Sequence, residues 1–431
     1  MSSFAGKRLL ILGGSQISCE IVNKAKEMGI YTFVTDWYPI EKSPAKQIAD
    51  KALMISTTDI EAIVELIQRE QIDGVITGFT DSVLPYYALI CERAGLPCYG
   101  TYEQFNVLID KSSYKPMCRK YGVPIVEDYD INEVINSSND LNIKYPVLVK
   151  PSDASGGKGI SVCYNQSELL EGYKKALQFS ERKQVLVERY IRGEEVTVFY
   201  ILQDGEIYLA TIANRHIKQN QPDTIPLPVA YTFPSVHIQK YKANIEPNVK
   251  KMFQSLKMKN GMVFMQCLVE DGECLVYDIG YRLTGTLEYK LFDQMAEYNT
   301  LEMLIHFAIT GKMSDYSIKE KIESQWKEYA CNVSFLVKPG KIRTIKGVDK
   351  ILSIPGVLDA VFAHKEGSEI PLNAKGTLKQ ILLRVFATSP SQEKLEEILN
   401  NIYEQLEVVS TDDEQMLLAG FDTTELRGKL T

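Results

Sequence analysis

Hydrophobic positions in the first hundred residues alternate between two periods. KRLLILGG at 7–14 is a short apolar run ended by two glycines, the pattern of a buried strand and a tight turn. QISCEIVNKAKEMG at 16–29 spaces its apolar residues three and four apart and stops at glycine, which predicts a helix. IYTFVTD at 30–36 is β-branched and aromatic and predicts a strand. The alternation continues through ADKALMIS (strand), DIEAIVELIQREQ (helix), IDGVITG (strand) and VLPYYALICERAG (helix). Repeated βαβ units imply a parallel sheet with covered faces. Asp36 closes the second strand, where a ribose-binding carboxylate could sit. GGSQIS is not G-x-G-x-x-G, however, and Gly13-Gly14 reads better as a plain turn.

The pattern changes after residue 105. A helix carrying Lys111 leads to GVPIV, an edge-like strand. Further on come a helix, SELLEGYKKALQFS, and the strands QVLVERYI, EVTVFYILQ, EIYLATIAN, MVFMQCLVE and CLVYDIGYR. Asp204-Gly205 and Asp271-Gly272 predict hairpin turns between them, so an antiparallel block follows the parallel one. The proline-rich 222–235 reads as a long surface connection bordering a substrate pocket, and SIKEKIESQWKEY as a polar helix. The remainder looks like a small α+β unit.

Composition narrows the function classes. The 431 residues are 45% hydrophobic and 24% charged, ordinary for a globular protein of two to four domains. A net charge of −8 weighs against nucleic acid as a partner. No stretch is long and apolar enough to predict a membrane span or a signal segment. The eight cysteines contain no CxxC and read as reduced, buried thiols in a cytoplasmic protein; the four histidines are too scattered for zinc spacing.

The chemistry concentrates at 145–162, YPVLVKPSDASGGKGISV. Lys150 ends an apolar strand, where its ammonium can be held rigidly. SGGKG then offers glycine N–H groups that can turn toward phosphate oxygens. It is not a Walker A loop, since Gly159 follows Lys158 where Ser or Thr is required. Alone, the loop is equally a hairpin turn.

Taken in order, the segments resemble the ATP-grasp superfamily, and within it the L-amino-acid ligases and the biotin-carboxylase and carbamoyl-phosphate-synthase branch. The resemblance implies a mixed α/β and α+β fold. Residues 1–105 would form a Rossmann-like parallel βαβ domain preceding the ATP-grasp module. Residues 106–183 would be its N-terminal subdomain with the glycine-rich loop, 184–313 its C-terminal subdomain, and 314–431 a small α+β domain. It implies ATP contacts from Lys111 in IDKSSYK, Lys150 in VLVKPSD, the loop residues Ser155, Gly156, Gly157 and Gly159, the hinge Glu188, Arg189, Tyr190 and Ile191 in VERYI, and Glu195 in GEEVTV. The backbone of Arg189 and Ile191 would read the adenine edge, and Glu195 would meet the ribose.

The metal site departs from the family pattern. Gln266 stands where a first acid is expected, Asp278 holds the second, and Gly280 replaces an asparagine, while Arg282 is retained. Asp278 would hold Mg²⁺ (or Mn²⁺) with Gln266 lending a carbonyl, and Glu288 is a further acid that could compensate. Arg282 suits an acyl phosphate, and Arg215, beside His216, the substrate's acid group. The implied activity is ATP-dependent carboxylate–amine or carboxylate–thiol ligation through an acyl phosphate, with Lys150 and Arg282 doing the catalytic work. Small-molecule acid and amine substrates follow, and the resemblance leaves a homodimer open. The alternatives are a nucleotide-binding protein of weakened catalysis and a carboxylase or carbamoyl-phosphate-synthase-like activity.

Overall fold

A computed structural model of the chain describes residues 4–131, 143–152, 159–181, 183–220 and 226–430. The N-terminal pattern yields a parallel sheet of β1 (Arg8–Leu12), β2 (Tyr31–Thr35), β3 (Lys51–Leu53) and β4 (Gly74–Ile76), in the order β3-β2-β1-β4. Its helices form where apolar spacing predicts, at Cys19–Glu27, Ile60–Glu70 and Leu84–Ala94. Asp36 is a structural residue. It accepts from Gly14 N (3.0 Å) and Ser43 Oγ (2.7 Å) and pairs with Lys46 (2.6 Å). A Cβ at Gly14 would stand 1.9 Å from Ser43 Oγ, so glycine here makes room for that cluster.

A second sheet holds β5 (Asp128–Tyr129), β6 (Val147–Pro151), β7 (Ser161–Cys163) and β8 (Val185–Arg189), ordered β5-β8-β6-β7. The helix Gln166–Phe179 covers it, and the two enclose a small separate core of Val147, Val149, Leu169, Ala176 and Val187. QVLVERYI therefore pairs back onto the strand of Lys150, with Lys150 opposite Leu186.

The third sheet has eight strands: β9 (Glu194–Gln203), β10 (Glu206–Lys218), β11 (Leu227–Phe233), β12 (Gly261–Glu270), β13 (Glu273–Gly280), β14 (Tyr329–Leu336), β16 (Val357–Phe362) and β18 (Ile381–Ser389). They run in the order β13-β12-β9-β10-β11-β14-β18-β16. Both predicted hairpins form. Asp204, Gly205, Asp271 and Gly272 all adopt positive φ, as two-residue hairpin turns of this kind require. Strands on either side of residue 313 join in this one sheet through β11 and β14. A three-stranded sheet, β17-β15-β19, completes the C-terminal part with β15 (Gly340–Lys346), β17 (Glu369–Ile370) and β19 (Glu407–Ser410).

Two expectations fail. Residues 227–233 are a fully buried central strand, not a surface connection. Pro228 is tolerated there because the register against β10 shifts between His216 and Ile217, beside Pro228's own partner. SIKEKIESQWKEY is a 3₁₀ turn, Ile318–Glu320, and an irregular path into β14. Side-chain Gln203 Oε1 takes the Ile318 N–H (2.8 Å), and Trp326 stacks on Phe233 at 5.2 Å, so tertiary contacts fix a backbone that the helical spacing alone would have coiled.

The parallel unit and the large sheet share one continuous core. Tyr99 and Tyr281 lock them reciprocally: Tyr99 Oη donates to Tyr281 O (3.2 Å) and Tyr281 Oη to Tyr99 O (2.7 Å), with Phe105 packed on both. All eight cysteines are unpaired, and among the described residues no helix is long and apolar enough to cross a membrane.

Gly74 is a close contact within this joint. A Cβ there would lie 2.3 Å from Ala308 O, in the helix Thr300–Thr310 packed on β4. Gly74→Ala is expected to lower stability by about 1–3 kcal/mol through overpacking, read as a lower urea midpoint.

Candidate functional site

The site is assembled from three elements that meet at Glu188. Asp110 caps the helix Lys111–Tyr121, its side chain accepting from Ser112 N, which sets Lys111 at the first turn and Lys115 one turn later on the same face. The end of β6 supplies Lys150 and β8 supplies Glu188, on neighbouring strands of the second sheet. Glu188 is 2% exposed; its Oε1 takes Lys115 Nζ at 2.6 Å and its Oε2 is ion-paired with Lys150. Burial pushes the Glu188 carboxyl up, but the Lys150 and Lys115 ammoniums outweigh it and hold it below the ordinary glutamate range. Burial draws the Lys150 ammonium below its ordinary value, opposed by Glu188 and assisted by neighbouring Lys111.

Lys111 reaches across to the large sheet, where its Nζ lies 2.9 Å from Asp278 Oδ1. That carboxylate raises the Lys111 ammonium above its ordinary value against the effect of burial. Asp278 on β13 and Gln266 on β12 are directly opposed cross-strand partners, with Thr197 of β9 next to Gln266. The two expected metal-ligand positions therefore share one face. Among the described residues no three His, Cys, Asp or Glu side chains gather into a metal cluster. The donor set present, one carboxylate and one amide carbonyl, fits a single hard cation completed by phosphate oxygens and water rather than an all-protein cage.

The glycine at 280 has a packing reason. Phe264 is its cross-strand partner, and a Cβ on residue 280 would stand 2.2 Å from the Phe264 ring. The Arg282 guanidinium lies over that same ring, 5.0 Å from its centroid. Arg282 is also held in a fork by Asp81, with Nε to Oδ1 at 2.6 Å and Nη2 to Oδ2 at 2.5 Å. Asp81, which follows β4 in the parallel unit, had no signal in the sequence beyond its place after a strand end. Lys115 was missed as well, although its spacing of four from Lys111 was available.

The other expected residues fall as follows. Glu195 accepts from Tyr277 Oη at 3.0 Å and is ion-paired with Arg215, its opposite number on β10. Arg215 also donates from Nε to Tyr231 Oη (3.1 Å). At the hinge, Arg189 N–H is spent on Glu127 O (2.9 Å) and Tyr190 N–H on Pro146 O (2.9 Å), so Arg189 has only its carbonyl to offer an adenine edge. The Arg189 side chain pairs with Glu270, and Ile191 is the second residue after β8. Gly159, at φ 73°, packs so tightly that a Cβ would meet Pro151 Cγ at 2.8 Å. Ser155, Gly156 and Gly157 lie outside the described residues.

Glu288 does not join Asp278 and Gln266. It is buried and accepts from the hydroxyls of Thr284 and Thr286 (2.7 Å for Thr286), and burial pushes its carboxyl up toward the neutral form. As a compensating metal acid it is therefore corrected to a structural one. His216 is turned away from Arg215, with its ring between Thr232 Oγ1 (2.9 Å) and Glu425 Oε2 (3.1 Å) and lowered below the ordinary histidine value by burial.

Comparison with known proteins agrees with this geometry. Residues 110–226 match the family described as carbamoyl-phosphate synthase L chain, ATP binding domain. The carbamoyl phosphate synthase large chain of Clostridium beijerinckii is 24% identical over 302 residues, covering 66% of this chain and 27% of that protein. The chain thus spans about a quarter of the length of that relative. The 2-oxoglutarate carboxylase small subunit of Hydrogenobacter thermophilus is 28% identical over 214 residues, covering 46% of this chain and 45% of that protein. Among solved structures, the L-amino acid ligase from Bacillus licheniformis superposes with a TM-score of 0.75 at 16% identity, covering 94% of this chain and 99% of that one. The biotin carboxylase domain dimer of the Hydrogenobacter thermophilus 2-oxoglutarate carboxylase, in complex with MgADP, ADP and bicarbonate, gives 0.75 at 19% identity, covering 96% and 91%. The match over residues 110–226, these relatives and these structures together support an ATP-grasp superfamily protein.

Proposed function

We propose that the chain is an ATP-dependent carboxylate–amine, or carboxylate–thiol, ligase acting through an acyl phosphate. The observation that carries this reading is the gathering of Lys111, Lys115 and Lys150 about Glu188 and Asp278, a basic lining drawn from separate elements where a triphosphate can lie. In this reading a carboxylate oxygen attacks the γ-phosphorus, the bond to the β-phosphate oxygen breaks, and ADP leaves. The amine lone pair then attacks the acyl carbon, inorganic phosphate departs, and the amine loses its proton.

Such a reaction needs positioning and charge neutralisation, not a protein nucleophile. Lys111 and Lys150 meet phosphate oxygens. Glu188 fixes Lys150, and the glycine-rich loop at Ser155, Gly156, Gly157 and Gly159 donates backbone N–H groups. The hinge from Arg189 through Tyr190 to Ile191 takes the adenine, and Glu195 the ribose. Mg²⁺ or Mn²⁺ would be held by Asp278 and Gln266 and would supply further neutralisation of phosphate charge. Arg282, steadied by Asp81 and Phe264, orients the acyl phosphate, and Arg215 faces the acid substrate. The four domain spans expected above go with this reading, as does a cytoplasmic location, which eight unpaired thiols favour.

A second reading, nucleotide binding with weakened turnover, is favoured by one observation: Gln266, an amide, stands opposite Asp278 where an acid is expected, so that face has one carboxylate. Steady-state phosphate release across acid and amine pairs separates the two. The ligase reading expects release that depends on both substrates; ATP binding with no release under any pair leaves the second reading.

Two variants test the site itself. Lys150→Ala is expected to weaken ATP binding roughly 10–100-fold, the worth of a charged hydrogen bond, and to abolish phosphate release while the fold persists through Lys115–Glu188. Unchanged ATP affinity by calorimetry would sink the assignment. Glu188→Gln leaves two buried ammoniums without their carboxylate and is expected to cost about 3–5 kcal/mol at pH 7. Because the folded pKa of Glu188 is depressed, its contribution is complete above the unfolded value of about 4.3 and is lost as pH falls through the lower folded value. The stability gap between wild type and Glu188→Gln should therefore narrow as urea titrations move from pH 6 to pH 3.

A further inference from the structure

A second polar patch lies on the face of the large sheet that carries Asp278 and Glu195. Register places it. Glu195 is opposite Arg215, Arg215 opposite Tyr231, and Tyr231 opposite Asn332; Ser334, two residues beyond Asn332, is opposite Arg384 of β18. Cross-strand partners, and residues two apart along a strand, share a face. Arg215 has Glu195 as its counter-ion. Arg384 has none among the described residues. It is 9% exposed, and its hydrogen bond goes to Ser334 Oγ.

The carboxyl whose field reaches Arg384 is Glu288, but that group is turned to Thr284 and Thr286. Next to Arg384 along the same face, Asn332 donates from Nδ2 to Thr286 O, and its Oδ1 is buried without a partner. A guanidinium stays charged where an ammonium could shed its proton. A buried guanidinium without a counter-ion is costly and has unused donors that match a carboxylate fork to fork.

The group that Arg384 could take is not the one that meets ATP. Five strands stand between β13, which carries Asp278, and β18. Six steps of about 4.8 Å separate them along the sheet. The segment after β13 bridges part of this gap, since Arg282 and Glu288 line one small cavity and Thr286 O reaches Asn332.

We propose that Arg384, steadied by Ser334, binds a second, non-reacting carboxylate of the substrate, so that the acid substrate carries two anionic groups. This rests on the ligase reading for the acid itself and adds its far end.

The test is calorimetric titration of the full chain, with and without the ATP analogue AMP-PNP. The probes are α,ω-dicarboxylates of increasing length, glutamate and glutamyl dipeptides, each set against its monocarboxylate counterpart. Wild type is expected to prefer a diacid. Arg384→Met should weaken that diacid at least ~30-fold, to the level of the monoacid, with AMP-PNP affinity within twofold of wild type. Arg384→Lys should fall between. Equal diacid affinity in wild type and Arg384→Met, or a wild type that prefers no diacid at any length, overturns the proposal. If Arg384→Met does not fold, Ser334→Ala decides: several-fold weaker diacid binding supports the subsite, and unchanged binding overturns it. Diacid binding without phosphate release keeps the subsite and removes the ligase reading, and failure of AMP-PNP to bind counts against the nucleotide site alone.

Discussion

One carboxylate, Glu188, holds the site together. It lies almost wholly out of water between two ammoniums that come from different elements, Lys115 on a helix and Lys150 at a strand end. The second sheet has its own small core, separate from the large one. Lys115 is therefore an electrostatic tie from that sheet to the helix Lys111–Tyr121, whose Tyr114 and Cys118 belong to the main core. A buried ion pair of this kind adds little net stability over an apolar replacement. What it does is restrict where Lys150 can point, and in the proposed reading that would position the lysine before a phosphate arrives.

The same economy of packing explains the face that carries Asp278 and Gln266. A sequence lacking the expected asparagine at residue 280 looks like a damaged site. In space, Gly280 and Phe264 are a matched pair: the ring occupies the missing side chain's volume and carries the Arg282 guanidinium on its face. Asp81 closes the other side of that guanidinium from a different unit of the fold, and the Tyr99–Tyr281 lock one residue before Arg282 keeps the two units in register. The departure at residue 280 is thus a local exchange of an amide for an aromatic platform.

What the sequence made legible follows from locality. Period-2 and period-3.6 patterns reflect contacts within one element, so the parallel βαβ unit and both Asp-Gly hairpins could be read directly, whereas Lys111, Lys150 and Glu188 were singled out by the resemblance. The failures are tertiary. Residues 227–233 became a central strand because neighbours on both sides supplied pairing and a register shift accommodated Pro228. Residues 317–329 run irregularly into β14, with Gln203 holding the Ile318 N–H and Trp326 stacked on Phe233, contacts made to distant parts of the chain. Glu288 carried the right chemistry for a metal, but hydroxyls four and two residues upstream claimed it. Asp81 and Arg384 are invisible in sequence for the same reason: what matters about each is a partner, or its lack, some 200 residues away or 50.

Charge balance gives the site its remaining logic. Around Glu188 and Asp278, three ammoniums (Lys111, Lys115, Lys150) face two carboxylates, which leaves one positive charge; Asp128, 3.9 Å from Lys115, is matched by Arg119, and the Arg282–Asp81 pair adds none. A nucleoside triphosphate brings about four negative charges. In the proposed reading the lining would therefore orient the phosphates without neutralising them. In the proposed ligase reading, tight binding of a triphosphate would therefore need positive charge beyond these lysines, as a bound divalent cation would supply. The Lys111–Asp278 contact sits at the hinge of that condition. The lysine is held in place by the carboxylate whose Oδ1 it occupies, and in the proposed reading an arriving phosphate and cation would each take one partner of the pair.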